Sequence, residues 1–314
     1  MKKRDFDIEG EIRTDFLGRT AIITPARGLR PHDFKSGAPK KRQKPKDCFF
    51  CPNNESKTPC ELDRTLEDGG HGWQNRCFPN KFPALCKSWE RAYGSHEVIV
   101  ETPKHSKTLS QLDAHQIEQY LLMIKKRLIA NSNDKKIRYI SVFKNEREDA
   151  GASLEHTHTQ LVAMPFVPRY AKVQESACKN KCHFCAIESD KKYPKIASTK
   201  NFLLLCPYVP QYGYEMWLLP KKHIRSLSDM DSKLISELAG LLSSALKTQD
   251  SVLNYPPYNI LYNFAPPSSK NFHMYISIIP RTSKWAGFEH QSGVIMNSAS
   301  PKLVAKAYKS NLLK

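Results

Sequence analysis

The residues His156-Thr157-His158-Thr159-Gln160 set two imidazoles and an amide at alternate positions. Alternate side chains of an extended strand share a face, so His156, His158 and Gln160 are expected side by side. A neutral imidazole is a competent nucleophile near pH 7. Attack on a phosphoryl group gives a phosphoramidate, a covalent nucleotidyl-enzyme. That step needs little beyond positioning and neutralisation of the phosphate oxygens. Gln160 can hold an oxygen beside His158, and Asn145, Ser153 and backbone N–H groups can add donors. Gly151-Ala152-Ser153 lets the backbone approach a phosphate closely. The blander reading makes His158 one more metal ligand or a satisfied core histidine.

His156 also belongs to a second kind of chemistry. Cys48 and Cys51 form one Cys-x-x-Cys pair, and Cys182 and Cys185 form another. Each is followed by two distant histidines, giving the sets Cys48, Cys51, His105, His156 and Cys182, Cys185, His223, His273. Two thiolates and two imidazoles suit tetrahedral zinc, so zinc is expected at two sites per chain. The gap from Cys51 to His105 is too long for a small finger, so each site would pin separate elements of a domain. Structural zinc contributes roughly 10–16 kcal/mol of apparent binding free energy in finger peptides, enough to decide whether a half folds. If the metal takes His156, its neighbour His158 is held in place and left free to react.

The elements that must present these groups occur twice. His96-Glu97-Val98-Ile99-Val100-Glu101-Thr102-Pro103-Lys104-His105 matches Tyr214-Glu215-Met216-Trp217-Leu218-Leu219-Pro220-Lys221-Lys222-His223, each a strand-like run with Glu eight residues before His. Helical spacing follows in both: Leu109, Leu112, Ile117, Tyr120, Leu121, Ile124 and Leu128, then Leu234, Leu238, Leu241, Leu242 and Leu246. Strands at 137–143 and 258–262 come next and end at Asn145 and Asn263, each 40 residues beyond its histidine. The position of His158 is taken by Tyr275 in the second half, so metal is expected in both halves and chemistry only in the first. The fold class is α+β: two tandem domains, 1–170 and 171–314, each a mainly antiparallel sheet with packed helices.

The chain has 314 residues, 49 Lys+Arg against 31 Asp+Glu, and a formal net charge of +18. A surplus that large predicts anionic partners without naming one. Six basic residues fall within 35–46 with no acid, and Lys302, Lys306, Lys309 and Lys314 mark the tail. Asp5-Phe6-Asp7 follows the basic start where a signal peptide would be apolar, and no run approaches the roughly 18 apolar residues of a membrane span. A cytoplasmic protein without a membrane partner is expected. Cys60, Cys77, Cys86, Cys178 and Cys206 read as core or incidental thiols, with Cys178 near enough in sequence to compete at the second metal set.

Taken in order, Pro25-Ala-Arg27-Gly-Leu-Arg30-Pro31, Cys48-Phe-Phe-Cys51-Pro-Asn-Asn-Glu55, Arg76-Cys-Phe-Pro-Asn80-Lys81-Phe-Pro, Phe143-Lys-Asn145, Gly151-Ala-Ser153, His156-x-His158-x-Gln160 and Ala286-Gly-Phe288-Glu289 are a specific series. The sequence resembles the galactose-1-phosphate uridylyltransferase family, the transferase branch of the histidine-triad superfamily, over nearly its whole length. The resemblance implies two tandem histidine-triad-like domains and ping-pong nucleotidyl transfer. It implies His158 as nucleophile on the α-phosphate and Gln160 as a hydrogen-bonding partner of the bound phosphoryl. Arg27, Arg30, Asn80, Lys81, Asn145 and Ser153 match positions around the nucleotide, and Phe288 and Glu289 match positions near the hexose. Partners are then a nucleotide sugar and a sugar phosphate, and the assembly state extends to a homodimer.

The activity expected first is transfer of UMP from UDP-glucose to a hexose 1-phosphate, galactose 1-phosphate leading, through a uridylyl-histidine. The alternative is an ADP-glucose or dinucleoside-polyphosphate phosphorylase of the same fold, since members with a Cys/Cys/His/His set in each half include ADP-glucose phosphorylases. A remote alternative is a non-catalytic, zinc-stapled nucleic-acid-binding protein. Gln160 favours transfer over hydrolysis, because an amide cannot act as an acid. Three positions depart from the family pattern: Thr157 replaces a proline, Glu146-Arg147-Glu148-Asp149 is more charged than usual, and Ile295 stands where a Gln is expected. The last bears on hexose and base.

Overall fold

In the computed structural model the described residues are 10–25, 44–67, 69–70 and 72–312. Arg27 and Arg30, most of the basic 35–46 segment and Lys314 lie outside them.

One antiparallel sheet organises the chain. Its strands are β3 (Asp63–Leu66), β4 (Trp73–Pro79), β5 (Ser95–Val100), β6 (Tyr139–Glu146), β7 (His158–Met164), β8 (Lys195–Ser198), β9 (Phe202–Leu205), β10 (Met216–Pro220), β11 (Tyr258–Asn263) and β12 (Tyr275–Pro280). Their spatial order is β3-β4-β5-β7-β6-β11-β12-β10-β9-β8. This order is palindromic about the β6–β11 pair, where Tyr258 lies opposite Glu146 and Tyr262 opposite Val142. The repeat read from the sequence therefore becomes two five-stranded halves joined edge to edge, so neither middle edge is left unpaired. A smaller sheet holds β1 (Glu11–Thr14), β2 (Thr20–Ile23) and β13 (Ile295–Asn297), with β13 parallel to β2.

Two long helices cover one face. Helix α1 (Ala114–Ser132) starts at Asp113, whose carboxylate accepts the Gln116 N–H at 2.8 Å while the Gln116 side chain accepts the Asp113 N–H, a reciprocal cap. Leu109 and Leu112, expected in this helix, fall before it: Leu109–Gln111 is a separate 3-10 turn ending at Leu112. The Asp113 cap fixes where the α-helix can begin. Short helices α2 (Arg169–Ser176) and α3 (His183–Ala186) follow β7. Helix α4 (Ser232–Leu253), capped by Asp231, mirrors α1. Ile117, Leu121, Ile124 and Leu128 of α1 and Leu238, Leu242 and Leu246 of α4 share one buried core with Ile140, Leu161, Ile260 and Ile276 of the sheet. The chain closes with α5 (Gly287–Ser292), β13 and α6 (Pro301–Ser310), whose Val304 and Tyr308 join the same core. No helix among the described residues is long and apolar enough to cross a membrane.

With the helices on one face, the opposite face of β5, β7 and β6 is open for function. β5 enters the sheet through Gly94, where a Cβ would lie 2.3 Å from the Ala163 carbonyl oxygen and 2.9 Å from Leu85 Cδ1. Only a residue without a side chain lets the chain pass this close to β7. Gly94→Ala should lower stability by about 1–3 kcal/mol, the range for overpacking a filled site, measured by urea unfolding.

Candidate nucleotidyl-transfer site

The site is built around the start of β7. His158 is the first residue of that strand, and His156 lies two residues before it in an irregular turn, rather than within the strand. Its position follows from what holds it. The Nδ1 of His156 is 3.5 Å from Cys48 Sγ and 3.6 Å from Cys51 Sγ, and His105 Nδ1 is 3.3 Å from Cys51 Sγ. The four donor atoms lie within 4.8 Å of one another. Ligands at ~2.3 Å (sulfur) and ~2.05 Å (nitrogen) around a tetrahedral ion are about 3.5 Å apart, so the spacing fits a metal of that kind. On the far side of the ring, His156 Nε2 is 2.7 Å from the Thr102 carbonyl, the outer contact that turns a ligand nitrogen toward the ion. The Phe50 N–H donates to Cys48 Sγ.

The second set converges in the same way. His273 Nδ1 is 3.5 Å from Cys182 Sγ and 3.4 Å from Cys185 Sγ, His223 Nδ1 is 3.6 Å from Cys185 Sγ, and His273 Nε2 faces the Pro220 carbonyl at 2.9 Å. The Cys178 thiol lies 3.6 Å from Cys182 Sγ and is outside the four-donor group. All nine cysteines are free thiols. The two sets differ in access. Cys48, Cys51 and His156 are buried, whereas Cys185 and His223 are exposed.

His156 then acts on its neighbour. Its backbone carbonyl is 2.8 Å from His158 Nδ1, so Nδ1–H donates to it and Nε2 keeps its lone pair. Burial, the largest influence, holds the His158 pKa below the ordinary imidazole value, so the neutral form is present at pH 7. Phe50 packs edge-on against the His158 ring, centroids 5.4 Å apart. The residues between and after the histidines face the other way, into a buried polar cluster. Thr157 and Thr159 hydroxyls donate to the two oxygens of Glu101 at 2.6 and 2.7 Å. Lys144 Nζ bonds Thr157 Oγ1 at 2.7 Å and pairs with Glu101 and Glu146 at 3.0 Å. Burial works against the Lys144 ammonium, but the two carboxylates outweigh it and raise its pKa. A proline could not make the Thr157 contacts, so the departure at that position anchors the strand from behind.

The other expected residues are placed as follows. Gln160 shares the His158 face of β7 and lies opposite Phe143. Asn145 follows one step beyond the Lys144–Thr159 pair, across from His158. Its Oδ1 accepts from Asn259 at 2.8 Å and its Nδ2 donates to the Gly151 carbonyl. Ser153 is exposed in the loop leading to His156. Asn80 directly follows β4, half-buried, and exposed Lys81 sits over the Phe49 ring. Phe288 and Glu289 lie on α5, where Glu289 accepts the Ala286 N–H. That helix follows Trp285, which stacks on Tyr212, at the small-sheet end of the second half. The repeated glutamates hold the scaffold: Glu97 pairs with Arg127, and Glu215 accepts from Trp217 Nε1–H.

Tyr275 fills the second half's counterpart of the His158 position. Its hydroxyl accepts from Gln174 at 2.6 Å and its ring packs against Trp217 and Phe184. A phenol held this way has no imidazole lone pair to offer. Three participants escaped the reading of motifs. His96 contacts Gln160, and Glu101 and Lys144 anchor β7 from behind. His96 and Glu101 sit inside the repeated segment, but pairing across strands, which gives each its partner, is invisible in a linear pattern. From the difference in access, a chelator should strip metal from the Cys182 set well before the Cys48 set. Metal release followed with a chromophoric chelator, in wild type and in Cys185→Ser, checks this.

Residues 84–168 match the model of the galactose-1-phosphate uridyl transferase N-terminal domain. The ADP-glucose phosphorylase of Arabidopsis thaliana is 33% identical over 94% of this chain and 91% of its own length. A galactose-1-phosphate uridylyltransferase of Thermotoga maritima is 28% identical over 81% and 90%. The solved structure of the Arabidopsis thaliana ADP-glucose phosphorylase with bound ADP-glucose superposes with a TM-score of 0.87 and 31% identity, covering 98% of this chain and all of that one. Full-length likeness of sequence and fold, together with the His156-x-His158-x-Gln160 motif, means that this chain belongs to the galactose-1-phosphate uridylyltransferase family of nucleotidyltransferases.

Proposed function

We propose that the protein is a nucleoside-diphosphate-sugar phosphorylase acting first on ADP-glucose, with His158 as nucleophile and zinc in both Cys/Cys/His/His sets. The observation that carries this reading is the second Cys182/Cys185/His223/His273 cluster, complete and convergent. It accompanies the 33% identity, over almost the full length of both chains, to an ADP-glucose phosphorylase.

In the first half-reaction His158 Nε2 attacks the α-phosphorus. The bond from that phosphorus to the bridging oxygen breaks, glucose 1-phosphate leaves, and AMP remains on the imidazole. The Nδ1–H bond to the His156 carbonyl balances the positive charge that develops on the ring. In the second half-reaction an oxygen of inorganic phosphate attacks the same phosphorus, the P–N bond breaks, and ADP leaves with His158 neutral again. Gln160 holds a non-bridging oxygen throughout. With Asn80 and Asn145 nearby, and Arg27 and Arg30 matching the family's nucleotide positions, the site has donors for the phosphates. Cys48, Cys51, His105 and His156 would hold the zinc, whose contribution would be structural: a fixed His156, whose carbonyl orients His158.

A second reading, uridylyl transfer from UDP-glucose to galactose 1-phosphate, is favoured by the match of residues 84–168 to the uridyl transferase model. The two readings share the covalent step and differ in nucleotide and acceptor. Intact-mass measurement after mixing with ADP-glucose should show an AMP adduct that is lost in His158→Ala and discharged as ADP by phosphate. A UMP adduct discharged only by hexose 1-phosphate would establish the second reading instead.

A further inference from the structure

A side-chain amide offers an acceptor at one end and two donors at the other, so turning it over reverses what a phosphate meets. The surroundings of Gln160 settle which way it faces. His96 and Val98 alternate on β5, and Val98 pairs with Gln160, so the His96 and Gln160 side chains rise from one face of neighbouring strands. His96 Nε2 lies 2.8 Å from Gln160 Oε1. The other ring nitrogen, Nδ1, receives the backbone N–H of Ala84 at 3.2 Å. A backbone N–H can only donate, so Nδ1 is bare and a neutral ring carries its proton on Nε2. Burial lowers the His96 pKa, which keeps the ring in that one-proton form near pH 7. The Nε2–H then requires an acceptor, and the end of Gln160 it meets is the carbonyl.

The same proton constrains Asn80. Asn80 Oδ1 accepts the Phe82 N–H at 2.9 Å, which places Nδ2 3.3 Å from His96 Nε2. Two donors cannot satisfy each other, so the Asn80 NH2 keeps its protons for another acceptor. The 80–85 segment is held against β5 by the backbone bond from Asn80 N–H to the His96 carbonyl at 2.7 Å and by the close approach of Leu85 to Gly94. The Ala84 N–H is thus a fixed reference for the whole set.

We infer that His96 is a positioning residue for nucleotidyl transfer: it passes the fixed polarity of the Ala84 N–H through its ring, clamps the Gln160 carbonyl, and leaves the Gln160 and Asn80 amides as paired NH2 donors for the transferring phosphoryl. The inference rests on His158 being the nucleophile. With His96 removed, Gln160 can rotate and present its oxygen to a phosphate oxygen, which repels it.

His96→Ala should slow single-turnover adduct formation at His158 about tenfold or more, since losing a whole oxyanion donor costs roughly 10²–10³. KM for the nucleotide sugar, metal content and the unfolding midpoint should stay close to wild type. His96→Gln, whose amide can place an N–H near the lost Nε2–H, should recover most of the rate. On a Gln160→Ala background, His96→Ala should cost little more, because its effect acts through Gln160. Wild-type rates in His96→Ala, or an undiminished effect without Gln160, would overturn the inference. An independent arm is the 15N spectrum of histidine-labelled protein, with the His96→Gln spectrum assigning the resonance. Protonated Nε2 with bare Nδ1 supports the clamp, and the opposite tautomer or a charged ring defeats it. A wild-type protein that forms no adduct with any nucleotide sugar would defeat the His158 reading, and the spectrum would still decide how Gln160 faces.

Discussion

The hydrogen bond from His158 Nδ1–H to the His156 carbonyl, 2.8 Å long, is the contact on which the proposed chemistry turns. It leaves the lone pair on Nε2, and its acceptor is placed by the contacts that hold His156. His156 is held through its own ring between two thiols on one side and the Thr102 carbonyl on the other. The last residue of the Cys48 set and the proposed nucleophile therefore lie within three consecutive residues, with the middle one, Thr157, tied into the sheet from the opposite face.

That opposite face explains why the unit tolerates buried charge. Lys144, Glu101 and Glu146 are buried, and a buried ion pair is costly unless its remaining hydrogen-bonding capacity is met. Thr157 and Thr159 meet it, and the Thr159 hydroxyl continues to Tyr120 of α1 and on to Tyr262 of β11. The strand that carries the reactive histidine is thus bonded to the central helix and, through it, to the other half. The β6–β11 seam does for the backbone what this chain does for side chains. A half without its partner would expose a strand edge and one side of the α1–α4 contact.

The two halves share one arrangement and differ at a position beside it. Both halves keep a Cys/Cys/His/His set and an outer carbonyl on the second histidine. Where the first half has the His158 imidazole, the second has the Tyr275 phenol, packed by Trp217 and Phe184 and bonded to Gln174. The Cys/Cys/His/His set is the shared feature, and the halves differ at the residue two positions beyond its last histidine.

The sequence by itself determined the repeat, the two Cys/Cys/His/His sets, the α+β class and the place of His158 beside the first set. Each of these is carried by residue type and spacing along one chain, and strand alternation and helical period translate spacing directly into shared faces. It placed His156 inside the strand and Leu109 and Leu112 inside α1, where the turn fixed by the His156 ring contacts and the Asp113 cap prevail over periodicity. What only the tertiary structure decided are the partners across strands: His96 on Gln160, Lys144 on Glu101 and Thr157, and the palindromic sheet that fuses the halves. Register between strands far apart in sequence sets those contacts, and register comes from how the whole sheet packs under α1 and α4. The tautomers of His96 and His158 follow from that packing.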